Sequence, residues 1–291
     1  MISYSQNRED VLLNRLFPPG YKGFYVDVGA NHPIQGSVTA HFYTAREWRG
    51  VNIEPTDVYN DIVSVRTRDT NLNCAVSSQS GEATFYEFPA STGVSTFSAE
   101  LAKTAEEKLK IAPRTHSVPV KTLEQICAEH ASGQIDFMSI DVEGHERQVI
   151  AGGNWRKFRP RVLLVEATLP HTSIPCHQEW EPLLLSADYH FATFDGLNRY
   201  YVRAEDRNLI PLLAVPVNVF DDFIPAAEFR ANSEAHSLKL RLDTMENMGP
   251  LTLAISRRLS RLETRFPSVS RTLHRMFARR PREVAELEPR S

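Results

Sequence analysis

Two groups of acids in the sequence are spaced to do chemistry. In the first, Asp27, Gly29 and Asn31 close a short apolar run, and Glu54 stands 25 residues beyond Gly29. A glycine at such a point lets the chain turn sharply with no Cβ in the way. A ligand can then approach the backbone at the strand's carboxyl end, and an acid placed like Glu54 can accept both ribose hydroxyls of an adenosine cofactor. In the second group, Asp141, Glu143, His145 and Glu146 crowd the start of a helix. Asp141 ends a strand and is the cofactor-side or catalytic acid. His145 is the residue type best poised to take a proton near neutral pH, unless it faces solvent or caps the helix. Glu143 and Glu146 could equally be first-turn acids favoured by the helix dipole. Glu166, ending the neighbouring strand, completes the cluster or serves structure alone. Asp141, Glu143 and Glu166 offer the hard oxygens that Mg²⁺ takes, although the favoured reading is metal-free.

These residues need elements to hold them. Residues 24–28 read as a buried parallel strand, preceded by a short capped helix after Ser5-Gln6-Asn7-Arg8-Glu9-Asp10. The pattern then predicts a helix over 37–48, a strand over 51–55, a helix over 57–66 and a strand over 71–77. Residues 81–88 are expected to form a hairpin with that strand. A charged helix over 99–110 belongs to a lid or insertion, and another helix spans 122–130. Strands over 135–141 and 161–166 flank a helix over 143–158. A helix near 178–187 and extended segments near 190–202 and 210–219 follow. Such alternation calls for an α/β fold with a doubly wound parallel sheet.

The 291 residues suffice for a large core. Cys74, Cys127 and Cys176 are odd in number and far apart, so neither a disulfide framework nor a metal spacing is expected. No apolar run approaches a membrane span and no signal-peptide core is visible, which makes a cytoplasmic protein the expectation. The net charge of −3 conceals an asymmetry: residues 226–291 hold 13 Lys+Arg against 8 Asp+Glu. The acidic remainder argues against a nucleic-acid-binding body.

The glycines decide between cofactors. A dinucleotide fingerprint needs G-x-G-x-x-G after the first strand. Gly29-Ala30-Asn31-His32-Pro33-Ile34 keeps only the first glycine, and Pro33 has no N–H to offer a pyrophosphate. S-adenosylmethionine has no phosphate, and its cationic ammonium and sulfonium suit acids at Asp27 and Asp141. His32, Ser37 and Thr39 could help line the pocket. His32 and His171, beside strand ends, could touch a substrate, with a structural or surface role as the alternative.

The chain resembles the FkbM family of S-adenosylmethionine-dependent O-methyltransferases. The matching stretches are Ser5-Gln6 with Glu9-Asp10, then 24–31, Gly50-Val51-Asn52-Ile53-Glu54-Pro55 and Asn73-Cys74-Ala75-Val76-Ser77. Above all there is I-D-F-M-S-I-D-V-E-G-H-E over 135–146, followed by Arg159-Pro160-Arg161, Val165-Glu166 and 218–223. The resemblance covers about 4–224 and implies a Rossmann-like class I methyltransferase fold acting on a sugar hydroxyl of a glycan or glycosylated small molecule. Together with the residue chemistry above, it gives the candidate site: cofactor binding by Asp27, Gly29, Asn31, Glu54, Asn73 and Asp141, and catalysis by Asp141, Glu143 and His145. Two other classes stay open: a non-catalytic binding module in a glycan-assembly complex, disfavoured by the retained acids, and an NAD-dependent sugar dehydrogenase, opposed by the missing glycines. The expected domains are a methyltransferase body over 1–225 and a basic amphipathic helical tail over 226–291. In the tail, Leu238, Leu242 and Met245 share one helix face. Beyond Gly249-Pro250, Ile255, Leu259, Leu262 and Phe266 share another, amid nine arginines over 256–282. Such a stretch packs on the body, self-associates, or meets an acidic partner or membrane surface.

Overall fold

A computed structural model describes residues 1–90, 92–170 and 172–246. Short apolar runs bounded by loop residues become its strands. In chain order, β1 (Ile2–Ser3) and α1 (Glu9–Asn14) lead into β2 (Phe24–Val28), followed by α2 (Ala40–Thr44), β3 (Arg49–Ile53), α3 (Tyr59–Val65) and β4 (Thr70–Leu72). An inserted layer contains β5 (Ala75–Val76), β6 (Gly81–Glu87), α4 (Ala99–Leu109) and β7 (Arg114–Lys121). The alternation resumes with α5 (Leu123–His130), β8 (Phe137–Ile140), α6 (Glu146–Ala151) and β9 (Val162–Glu166). Then come α7 (Glu181–Leu185), β10 (Tyr189–Phe194), β11 (Asn198–Arg203), α8 (Ile210–Ala214), β12 (Ile224–Pro225) and α9 (Ala226–Glu246). The chain divides into two units, Met1–Ala226 and Ala227–Ser291.

The central sheet has seven strands in the order β10-β11-β9-β8-β2-β3-β4. β2 pairs in parallel with both β3 and β8, β3 with β4, and β8 with β9. β11 is antiparallel to its neighbours β9 and β10. The protein is therefore mixed α/β with a mostly parallel central sheet. Strand order reverses direction at β2: the chain first moves outward through β3 and β4, then returns to β8 on the other side. Open α/β sheets hold ligands outside the carboxyl ends of their strands at such a point.

Helices cover both faces of this sheet. Alternate side chains of β2, Val26 and Val28, join one core with Leu123 and Ile126 of α5 and Val149 of α6. Tyr25 faces the other core with Leu12 and Leu13 of α1 and Phe42 of α2. Burial on both faces is why the parallel strands read as continuous apolar runs rather than alternating ones.

Several expectations need correction. The strand expected over 71–77 breaks in two: β4 stays in the central sheet, while β5 pairs with β7 in a separate three-stranded sheet. β6 forms no hairpin with its predecessor, because it pairs antiparallel with β7 across the insertion, from Gly81↔Val120 to Glu87↔Arg114. The segment near 210–219 contains the helix α8, started by Pro211 in its first turn. The helix expected over 143–158 begins only at Glu146, since Glu143 and Gly144 turn with positive φ of 52° and 91°. The extended stretch near 190–202 is an antiparallel hairpin, so the sheet is mixed rather than purely parallel. α1 follows Arg8 in the left-handed region and carries no side-chain cap.

In the second unit α9 bears Leu238 and Leu242 with exposed side chains. Residues 247–291, with the arginine-rich stretch and its apolar stripe, lie outside the described residues. Among the described residues, no helix is long and apolar enough to cross a membrane.

Candidate functional site

A cleft of about 630 Å³ opens at the carboxyl ends of β2, β3 and β8. Gly29, Asn31, Glu54, Asp141 and Glu143 line it on the sheet side, and Phe85, Gly93 and Phe97 of the inserted layer wall it opposite. The insertion is thus one side of the site. Its walls are not visible as site residues in the sequence, because the pairing that brings Phe85 there links segments more than thirty residues apart.

Gly29 makes this convergence possible. Its φ is +83°, and a Cβ placed there would lie 1.8 Å from the Asp141 carbonyl oxygen. Its amide donates to the Ile53 carbonyl at 3.0 Å, and the Asp141 amide donates to the Val28 carbonyl at 3.0 Å. The three strand ends are therefore tied together at Val28 and Gly29.

Glu54 is buried and bridges two loops. Its Oε2 accepts the Asn31 amide at 2.8 Å and its Oε1 accepts the Thr56 amide at 2.9 Å. Burial pushes its pKa up, while these donors and the Thr56 hydroxyl hold it down. Asn31 has φ +46°, which aims its amide at Glu54. Asn73 does not line the cleft; its amide donates to the Glu54 carbonyl at 2.9 Å and so fixes the loop beneath.

Around Asp141 the carboxyls crowd. Asp141 and Glu143 line both this cleft and a second cavity of about 1020 Å³, where Glu166 joins them. Burial, then Asp141 and Glu146, push the Glu143 carboxyl up to about 9. Burial likewise raises Asp141, and burial with its carboxyl neighbours raises Glu166. Glu146 points back into the loop, where its Oε1 accepts the Val142 and Gly144 amides at 3.3 and 3.1 Å. A Cβ on Gly144 would meet Leu101 at 2.7 Å, and Thr96 donates its hydroxyl to the Glu143 carbonyl at 3.2 Å. Glu143 is held in a backbone conformation uncommon for its type, a feature that clusters at functional sites. Asp141, Glu143 and Glu166 would be the oxygens for a hard cation; among the described residues no three His, Cys, Asp or Glu groups are arranged to hold one.

His145 lines neither cavity. Its Nε2 lies 3.0 Å from the Ser77 hydroxyl and its ring packs on Phe97, and burial lowers its pKa. Asp27 is also set back. Its Oδ2 accepts the Thr39 hydroxyl at 2.8 Å, and burial first of all raises its carboxyl to about 6, with Thr39 and Arg66 opposing. Arg66, buried, donates to Ser37 and Thr39 hydroxyls at 2.9 and 3.3 Å, to the Pro33 carbonyl at 2.8 Å and to the Tyr25 hydroxyl at 3.2 Å. Ser37 and Thr39 therefore shape the loop after β2 from below. The Nδ1 of His32 accepts the Ile34 and Gln35 amides and fastens the same turn. His171 lies outside the described residues.

An α/β protein with an acid-lined ligand cleft at the reversal of its sheet is the class that fold and site define. Residues 27–191 match the model of the methyltransferase FkbM domain, and the chain belongs to that family. Comparison with curated proteins found no match.

Proposed function

We propose that this methyltransferase uses S-adenosylmethionine to methylate a hydroxyl of a sugar, in a glycan or glycosylated small molecule. The observation that carries the cofactor is the pairing of Glu54 with a loop that lacks phosphate-binding glycines. Glu54 lines the cleft beside Asn31 while Pro33 turns its carbonyl to Arg66. Glu54, Gly29 and Asn31 would hold the ribose, and the apolar wall of Val76, Phe85 and Phe97 would take the adenine. Asp141 and Glu143 would face the cationic end, which their crowded carboxyls need. Asp27 and Asn73 support from behind. When bound, S-adenosylmethionine supplies an electrophilic methyl carbon on a sulfonium. The strand order, with helices on both faces, supports the doubly wound, Rossmann-like class I reading. The sugar acceptor rests on the resemblance described above. Within the same reading the protein works in the cytoplasm, no nucleic acid is a partner, and the stretch 256–282 recruits an acidic partner, membrane surface or second copy.

Side-by-side titration with S-adenosylhomocysteine and NAD tests the cofactor. The thioether is expected to bind and NAD to bind far more weakly; the reverse order removes the proposal. Glu54→Ala is expected to weaken S-adenosylhomocysteine by roughly 1–3 kcal/mol, since two ribose hydroxyls lose a charged acceptor. Unchanged calorimetric affinity would take Glu54 out of the site.

Proton linkage gives an independent check. Burial raises Asp141, against a hydrogen bond with Glu166, and burial with the Asp141 and Glu146 charges raises Glu143 to about 9. A cation favours their ionised forms, so binding releases protons. Affinity for S-adenosylmethionine should therefore rise with pH between about 6 and 8, by at most about tenfold per unit for each proton released. Calorimetry in two buffers of different ionisation enthalpy measures that release; a flat affinity and no buffer dependence would show that these carboxyls do not meet the cation.

A further inference from the structure

The stretch between α8 and β12 holds a turn that displays its largest side chains instead of burying them. Val219 and Phe220 are 86% and 92% exposed, and Leu212 and Val215 just before them are 44% and 50% exposed. We infer that this turn anchors a two-fold contact with a second copy of the chain. Phe220 enters the apolar pocket beside the partner's own turn, and Asp222 meets the partner's Arg8. This inference does not rest on the reading of the cofactor cleft.

A scattered apolar residue on a surface is ordinary, but this pair is held in place from below. The Asn218 side chain accepts the Phe220 amide at 3.0 Å, and Asp221 accepts the Asn218 amide at 2.7 Å. Arg15, just after α1, clamps the turn to the body. It donates to both carboxylate oxygens of Asp221, at 2.5 and 2.6 Å, and to the Leu212, Val215 and Pro216 carbonyls. A turn whose backbone is fixed beforehand loses little freedom on docking, which favours it as an interface anchor.

A pocket of about 670 Å³ opens next to this turn, walled by Leu12, Phe194, Tyr200, Leu213, Pro216 and Val217. It accommodates a phenyl ring, and the chain's own Phe220 points into solvent. Pro216 and Val217 belong to the pocket wall, Val219 and Phe220 form the knob, and Arg15 holds Pro216 and Asp221 at once. Knob and hole therefore lie side by side on one patch. A two-fold axis between them lets each copy give its knob to the other's hole, the self-complementary arrangement that closes as a dimer.

The charges agree with that pairing. Exposed Arg8 lines the pocket, and exposed Asp222 follows the knob. Within its own chain Arg8 reaches the Gln6 carbonyl at 3.5 Å and the Phe223 ring at 5.9 Å, and Asp222 gives its carbonyl to the Met1 amine. Among the described residues neither side chain has an ion-pair partner. The other charge in the pocket, Asp195, is already taken by the Leu197 and Asn198 amides and the Tyr200 hydroxyl. Seating Phe220 thus brings opposite charges together twice, once on each side of the axis, and such complementarity fixes register and excludes wrong partners.

Sedimentation equilibrium on the full chain tests this, from about 1 to 100 µM protein, since interfaces of standard size bind at micromolar affinity or tighter. The wild-type chain is expected to show a monomer–dimer equilibrium. Phe220→Asp should weaken the dimer by at least roughly tenfold, and at so exposed a position the monomer keeps its fold. Arg8→Glu and Asp222→Lys should each weaken it too, because each sets like charges against one another on both sides of the axis. Their equimolar mixture is the deciding arm. In a dimer with one chain of each kind, the new glutamate meets the new lysine while the native Arg8 meets the native Asp222. The mixture should therefore associate at least roughly tenfold more tightly than either variant alone. A contact within one chain cannot produce that rescue. A monomeric wild type, or a mixture no tighter than its components, overturns the inference. A dimer that survives Phe220→Asp overturns it in favour of another surface, such as residues 226–291.

Discussion

Gly29→Ala is expected to lower S-adenosylhomocysteine affinity at least a hundredfold. Two separate costs meet at this position. An alanine at φ +83° carries the left-handed penalty, about 1–2 kcal/mol. The second cost is steric: the new methyl would lie 1.8 Å from the Asp141 carbonyl oxygen, which is backbone and cannot swing aside. The Asp141 amide donates to the Val28 carbonyl and the Gly29 amide to the Ile53 carbonyl, each at 3.0 Å, so relief must push β2 and β8 apart at the cleft. A displacement near 1 Å at a positioned site can cost about a hundredfold in rate, and the ligand contacts made by the same strand ends are expected to weaken with it. Gly20→Ala separates the two costs, since Gly20 has φ +79° and a Cβ added there would meet nothing within 4 Å. That variant should lose stability slightly and bind normally. If calorimetry gives the two variants the same affinity, the contact between Gly29 and Asp141 does not organise the cleft.

How far the sequence reveals this site depends on how local each part is. β2, its turn and β3 are contiguous segments whose apolar runs end in glycine or acid, and Gly29, Asn31, Glu54 and Asp141 are legible at those ends. Glu143 is legible as an acid, but its left-handed backbone is not, because its carbonyl is engaged by Thr96 of the insertion, 47 residues away. His145 looks like a catalytic base by residue type alone. Its engagement with Ser77 spans 68 residues of sequence, and no local pattern announces such a contact. The three-stranded sheet escapes a local reading for a similar reason: β7 runs through Arg114-Thr115-His116-Ser117, a polar stretch with half-buried or exposed side chains, and it gains its partners only through β5 and β6. Gln6 and Glu9 stand out as parts of a motif, yet the turn they share is held by the bond from Asn198 to Glu9, almost two hundred residues away.

Arg66 is the least legible residue of all, and its removal should carry the second large effect. A lone arginine at the end of a helix reads as a solvated cation. In the fold it is 1% exposed and stands between two buried acids, Asp27 and Asp69. Asp69 lies 3.7 Å from its guanidinium and also accepts Tyr25 at 2.5 Å, the Gly50 amide at 3.0 Å and Asn52 at 3.0 Å. Arg66→Ala would leave both carboxyls without their cation and the Pro33 carbonyl without its donor. Breaking a buried pair from one side costs about 3–5 kcal/mol. At roughly 2–4 °C per kcal/mol for a unit of this size, the melting temperature should fall by about 10 °C. The pH dependence identifies the cause. Burial already raises Asp27, to about 6, and Asp69 above their unfolded values, and losing Arg66 raises them further. A carboxyl whose folded pKa is raised contributes stability below that pKa and loses it as pH rises through it. The deficit of Arg66→Ala relative to wild type should therefore shrink as pH falls from about 7.5 toward 5, where the two acids take up protons. Paired melts across that range measure it. A deficit that stays constant with pH would assign the loss to packing alone and free Asp27 and Asp69 from dependence on Arg66.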